Sequence, residues 1–357
     1  VYTHQMFNRQ AQLLRDHFNI APGEVDLATF PLFALFDPTW RVTTVFPEMD
    51  FTHPGRINPR NILDAIEQNG ATHMFGSPAL LDRVGRYCEK HRLNLPGLKR
   101  VLSAGAPVSD RVIDRFAALL PEGAHVHTPY GATEALPVCS ISQVERARLS
   151  SAAGNGVCVG TPLKGVHIAI IPVTDDPITN WSDDLVLPPG EIGEIVVWGE
   201  NVSAEYFRRP EANRMGKISS DDGTIRHRMG DVGYLDGSGQ MWFCGRKSHR
   251  VQTHFGTLYT VPCEGVFNQH PDVFRTALVG VGRIPNQLPV LCVELEPTRP
   301  PRDHSVIREE LFQLGASTPA TGHIRTILFH PGFPVDIRHN SKIFREKLAL
   351  WAEKEMA

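Results

Sequence analysis

Apolar residues recur at helical spacing near the start of the chain. Met6, Leu13, Leu14 and Phe18 share one face of residues 4–18, and Thr3 stands in front of them as an N-cap. Residues 59–68 and 78–91 carry the same period. The second stretch has Ser77 as its cap and Pro78 at the first helical position, where the missing N–H costs nothing. Short apolar runs lie between these helical stretches. Residues 100–103 read as a buried strand, which passes through the small-residue turn Ala104-Gly105-Ala106-Pro107 into a helix capped by Ser109. Strand, turn and helix in that order predict an α/β layer on a parallel sheet, with ligands at the carboxyl ends of the strands.

From residue 156 to 245 the pattern turns toward strands. Residues 166–171 and 191–198 read as β, Pro188-Pro189-Gly190 and residues 236–239 as turns, and residues 174–187 as a polar, exposed loop. After Gly245, short strands at 250–253, 277–281 and 290–295 alternate with helices at 305–314 and 341–354. The expected architecture is α/β. A large N-terminal domain covers residues 1–245, a hinge covers 246–248, and a small mobile α+β domain covers 249–357. The opening Val1-Tyr2-Thr3-His4 has no initiator methionine, so the large domain is expected to lack its first part.

Composition narrows the function. With 357 residues, 41% of them hydrophobic and 21% charged, the chain reads as an ordinary globular protein. A formal net charge of -3 offers no basic field for nucleic acid or anionic lipid. No apolar run approaches the roughly 20 residues of a membrane helix. Cys88, Cys139, Cys158, Cys244, Cys263 and Cys292 lie far apart with no CxxC pair, which argues against a zinc or disulfide framework and fits the cytoplasm.

Four segments carry candidate chemistry. The turn around Gly105, Ala106 and Pro107 either packs tightly or lets a flat ligand or phosphate approach the backbone. Tyr130-Gly131-Ala132-Thr133-Glu134 offers an aromatic face, a flexible glycine, a hydroxyl and a carboxylate able to hold Mg²⁺. Its bland alternative is a helix N-terminus capped by Thr133. Met229-Gly230-Asp231 places a carboxylate that either accepts ribose hydroxyls or serves a turn. Lys342, expected to open the last helix, is poorly placed for that helix's dipole, so its charge serves another group or simply faces solvent.

Taken in order, these segments resemble the adenylate-forming superfamily of acyl-CoA synthetases, luciferases and peptide-synthetase adenylation domains. Tyr130 to Glu134 resembles YGxTE. Gly190-Glu191-Ile192-Gly193-Glu194-Ile195, with Gly199 and Tyr206 to Pro210, resembles GExGEI…G…GY…P. His227 to Asp231 stands at Y/F-x-T-G-D, Gly245-Arg246 at the hinge GR, and Pro334 to Arg345 at PxTxxGKxxR. The resemblance implies ATP and Mg²⁺ as cofactors. It implies that Gly105, Ala106 and Pro107 line an adenine pocket and that Tyr130, beside Gly131, stacks on the ring. Thr133 then contacts phosphate, Glu134 binds the metal, Asp231 and Arg246 hold the ribose, and Lys342 bridges carboxylate and α-phosphate.

The wording of residues 130–137 and 334–348 is most similar to the β-lactone synthetases of bacterial long-chain olefin biosynthesis. That implies a fatty-acid-derived 2-alkyl-3-hydroxy acid as substrate, with other olefin-biosynthesis enzymes as possible partners. Departures at Ala34, Ser248, Phe255, Pro262 and Ser341 put ordinary CoA transfer in doubt. A fatty acyl-CoA ligase is the nearest alternative, and a nucleotide-binding module without catalysis is the next. His4, His125, His127 and His249 are candidate bases for lactone closure, and none is singled out.

Overall fold

The computed structural model describes residues 1–149, 154–297, 299–336 and 342–357. Five parallel strands lie side by side in the order Thr43–Val45, Val25–Ala28, His73–Phe75, Arg100–Leu102 and His125–Ala132. Helices Pro59–Asn69, Pro78–His91 and Asp110–Ala117 fall between strands of this parallel part in the chain. Two faces follow from alternation along short strands. Leu27, Met74, Val101 and Val126 form one row across the sheet and join Ile62, Leu80, Leu81, Val84 and Phe116 in a buried core. The adjoining row is polar, with Asp26, His73, Arg100 and His125 in register. The Arg100 guanidinium reaches the carbonyl of Asn19, the C-cap of helix His4–Phe18 (3.1 Å), so the first helix closes this second face.

The sheet continues as antiparallel strands, Ala135–Ser142, Val157–Pro162, Met241–Arg246, Ile225–Leu235, Gly193–Trp198 and His167–Ile171 in spatial order, for 12 strands once Lys217–Ser219 is added. Beyond Arg246 the chain leaves this sheet. It forms the pair Val251–Thr253 and Gly256–Leu258 and a three-stranded sheet of Val273–Val281, Leu288–Leu295 and Thr326–Phe329. Helices Thr260–Phe267 and His304–Gly315 pack on these strands through Phe267, Leu278, Leu291, Ile307 and Leu311.

Two expectations and one alternative reading are corrected. The last helix is Arg345–Met356, so Lys342 precedes it. The Asp336 N–H donates to the Lys342 carbonyl (2.9 Å) and Ile343 bridges Val335, a local β pairing that holds this stretch out of the helix. Residues 337–341, Ser341 among them, lie outside the described residues. Thr133 and Glu134 cap no helix; they form the tip of the hairpin joining His125–Ala132 to Ala135–Ser142. Ser109 precedes helix Asp110–Ala117 but makes no side-chain cap bond. The loop at 174–187 is largely exposed, as expected, and the carbonyls of Thr174 and Asp176 in it accept from the buried Arg228 guanidinium (2.6 and 2.8 Å). Among the described residues, no helix is long and apolar enough to cross a membrane.

Candidate functional site

Asp231 and Arg246 are cross-strand partners in the antiparallel pair of Ile225–Leu235 and Met241–Arg246. Side chains directly opposite each other on one face lie within reach of one another. The Arg246 guanidinium donates to Asp231 Oδ1 (2.9 Å), and the Tyr130 hydroxyl donates to Asp231 Oδ2 (2.7 Å). Three separated motifs thus meet on one carboxylate. Asp231 is only 4% exposed, and burial raises its carboxyl above the ordinary range, with Arg246 opposing that shift. Arg246 itself stays nearly half exposed, leaving charge available to a ligand.

Glu134 lies across the hairpin tip from this group. Gly131 allows the tight approach, since a Cβ there would stand 2.7 Å from the carbonyl oxygen of Ala135. The Tyr206 hydroxyl donates to Glu134 Oε1 (2.8 Å), and the Ser203 N–H donates to the Glu134 carbonyl (2.7 Å). Burial works against the charge on Glu134, yet the Tyr206 bond and nearby His227 and Lys217 hold its carboxyl below the usual range. Lys217 is buried beneath this patch, donates to Ser203 Oγ (3.1 Å), and is pushed down to about 8 by desolvation, with Glu134 opposing. His227 donates to the Gly216 carbonyl (3.0 Å) and is pushed down to about 4, first by burial and then by Lys217. The aromatic hydroxyl of Thr133's neighbour in space, Tyr2, donates to the Thr133 carbonyl.

The other expected residues are placed less centrally. Gly105 adopts φ +93, the left-handed region that favours glycine, and turns the chain out of strand Arg100–Leu102 with Pro107 exposed and Ala106 half-buried. At the base of this turn the buried Ser103 hydroxyl has no hydrogen-bond partner among the described residues. Lys342 is exposed, and no described contact joins it to Glu134 or Asp231. Its charge, together with those of Arg345 and Arg246, adds to burial in pushing His249 down to about 4. Arg345 is anchored on Glu264, which also accepts from the Leu278 N–H (2.7 Å), so the segment after Lys342 is fixed to the small sheet. His127 is likewise held at about 4, chiefly by burial.

Residues 1–207 match the AMP-binding enzyme family. The chain belongs to that family. Proteins named olefin beta-lactone synthetase from Xanthomonas campestris pv. campestris and Stenotrophomonas maltophilia are each 48% identical to it, over 99% and 100% of this chain respectively. The chain spans 64% of the length of either relative. Its fold is that of adenylate-forming enzymes. O-succinylbenzoate coenzyme A synthetase from Bacillus subtilis, in complex with ATP and magnesium ion, superposes with TM-score 0.74 at 22% identity, covering 97% of this chain and 66% of that one.

Glu194 and Lys217 take structural roles that the motifs did not give them. Glu194, inside Gly193–Trp198, is 1% exposed and receives Arg228 (2.6 Å) and Lys247 (3.1 Å). Lys247 follows Arg246, the last residue of strand Met241–Arg246, so a buried carboxylate fastens the start of the connection to the small sheet. Lys217 gave no signal along the sequence, because its burial depends on distant Ser203 and Glu134.

Proposed function

We propose that this chain carries the adenylating centre of an enzyme that activates a 2-alkyl-3-hydroxy fatty acid as its acyl-AMP and then closes it to a β-lactone. The observation that carries the reading is the 48% identity, over nearly the whole chain, to proteins named for that lactone synthesis. The meeting of Tyr130, Asp231 and Arg246 supports the nucleotide half. Residues 1–245 form the large domain in this reading, 246–248 the hinge and 249–357 the small domain.

Asp231 would accept the ribose hydroxyls through its charged oxygens, with Arg246 beside it. Tyr130, tied by its hydroxyl, would present a ring face to adenine, and the exposed backbone of Gly105, Ala106 and Pro107 would border the base. Thr133 would meet phosphate. Glu134, kept ionised as described above, would hold Mg²⁺, which neutralises charge on the phosphates. The substrate carboxylate attacks the α-phosphorus, the bond to the β-phosphate oxygen breaks, and pyrophosphate leaves. Lys342 would neutralise charge on the attacking carboxylate and the α-phosphate. In the second step the substrate's 3-hydroxyl oxygen attacks the acyl carbon, the acyl–phosphate bond breaks, AMP leaves, and the hydroxyl proton passes to solvent. Because that nucleophile is intramolecular, no thiol acceptor is needed.

The test uses the full-length enzyme with ATP, Mg²⁺ and a 2-alkyl-3-hydroxy acid, with and without CoA, read by mass spectrometry. A β-lactone formed without CoA is the expected product. A CoA thioester as the main product overturns this reading in favour of an acyl-CoA ligase, and ATP binding without turnover reduces it to a nucleotide-binding module.

A further inference from the structure

The polar row on the second face of the parallel sheet contains a cluster that the nucleotide chemistry does not use. Asp26 lies in strand Val25–Ala28, in register with Thr44 on one side and His73 on the other. Asp37 opens the helix Asp37–Trp40. Asp26, Asp37 and His73 are 5%, 1% and 3% exposed, and their ligand atoms all lie within 4.8 Å of one another. We propose that Asp26, Asp37 and His73 bind one divalent transition-metal ion of the zinc type.

The first argument is an orphaned atom. His73 Nε2 is buried with no hydrogen-bond partner among the described residues, and it lies 3.5 Å from Asp26 Oδ1. Two ligands of a tetrahedral zinc with bonds of roughly 2.0–2.1 Å stand about 3.3 Å apart, so this pair already has the spacing a shared ion requires. The second is charge. Two buried carboxylates converge with no Lys or Arg paired to either among the described residues, whereas the neighbouring Glu24 receives Arg100. A dipositive ion between Asp26 and Asp37 would remove the cost of burying their charges. The third is support from behind. His73 Nδ1 faces Glu24 Oε2 at 3.3 Å, an imidazole backed by a carboxylate, the arrangement that orients metal-bound histidine. The Thr44 hydroxyl donates to Asp37 Oδ2 (2.6 Å) and orients that carboxylate too. The second cluster of this kind, His270, Asp272 and Glu310, differs because Arg302 pairs with both of its carboxylates. Chemically, an imidazole with two carboxylates suits Zn²⁺ and its first-row neighbours rather than Mg²⁺.

The ion would tie strands Val25–Ala28 and His73–Phe75 to the start of helix Asp37–Trp40. The experiment measures metal in the full-length enzyme, purified without chelators from zinc-supplemented cells, by plasma mass spectrometry, and the first shell of the bound zinc by X-ray absorption. About one Zn²⁺ per chain is expected, with nitrogen and oxygen ligands including one imidazole, falling at least tenfold in Asp37→Asn and in His73→Gln. Metal at background level in the wild type overturns the proposal and leaves Asp26 and Asp37 as a pair sharing a proton. Zinc retained by both variants, or a sulfur shell in the absorption spectrum, also overturns it. If a variant fails to fold, the wild-type metal content and spectrum decide alone.

Discussion

The two carboxylate oxygens of Asp231 receive Tyr130 and Arg246, and in the proposed function the same carboxylate would also accept the ribose hydroxyls. Replacing it with alanine removes a charged acceptor, worth about 1.5–3 kcal/mol for a hydrogen bond to an ion. Asp231→Ala in the full-length protein is therefore expected to weaken ATP binding by roughly 10- to 100-fold, measured by calorimetry; an unchanged dissociation constant would reduce Asp231 to a structural anchor. His227 gives a second residue-scale outcome. Its folded value of about 4 lies below its ordinary 6.5, because burial and Lys217 disfavour the charged ring. Below the unfolded value the unfolded chain takes the proton first. The stability His227 contributes is complete above pH 6.5 and is lost as pH falls toward about 4, at up to about 1.4 kcal/mol per pH unit. His227→Gln should flatten the slope of stability against pH in that window, read from urea midpoints, and an unchanged slope would refute the assignment.

Two short elements position Glu134 and Lys342, the residues proposed to act on the phosphates. The hairpin tip depends on Gly131, where a Cβ would meet backbone at 2.7 Å and could not be relieved by a side-chain rotation. Gly131→Ala is expected to displace Glu134 from Tyr206 and lower adenylation at least roughly tenfold, since misplacement of an angstrom has such effects. Pyrophosphate release checks this, and circular dichroism separates it from unfolding. The second element is the segment before helix Arg345–Met356, held by the Val335–Ile343 bridge and by Arg345 on Glu264. It leaves the Lys342 side chain exposed. Lys342→Ala should reduce acyl-AMP formation by roughly 10²–10³ while ATP binding changes little, because a single charged contact to the transition state is worth that much. Near wild-type pyrophosphate release would remove Lys342 from the mechanism.

At the scale of the molecule, named polar contacts join the small sheet to the large one and its helices. Arg86, on helix Pro78–His91, binds Glu296 through two nitrogens (3.0 and 3.1 Å), and Arg111 donates to the carbonyls of Val273 (3.3 Å) and His270 (3.2 Å). Glu194 holds Lys247 at the connection between the sheets. These bonds fix one arrangement of the small sheet against the large one. Glu296→Ala is expected to raise hydrogen exchange across 246–248 and along helix Pro78–His91 severalfold, with the global melting midpoint moved by only a few degrees. Exchange unchanged at both places would show that the Arg86 contact holds nothing.

The periodicity of apolar residues was enough to find the helices His4–Phe18, Pro59–Asn69, Pro78–His91 and His304–Gly315, because each must bury one stripe whatever lies beneath it. It was enough to find strand Arg100–Leu102, whereas the ordered motifs were read from residue identity and their resemblance to the family. It misplaced the start of the last helix, because Lys342 and Ile343 follow a β bridge that residue 335 supplies. It read Thr133 and Glu134 as a possible helix start, since a hydroxyl and a carboxylate suit either a cap or a hairpin tip and only the partner strand decides. Asp231, Tyr130 and Arg246 could be named from sequence, but their hydrogen bonds arise from pairing across strands. The burial of Lys217, the Glu194–Lys247 anchor and the convergence of Asp26, Asp37 and His73 belong to tertiary structure alone. Local pattern records which side of an element faces inward; which charges meet there depends on contacts between residues far apart in the chain.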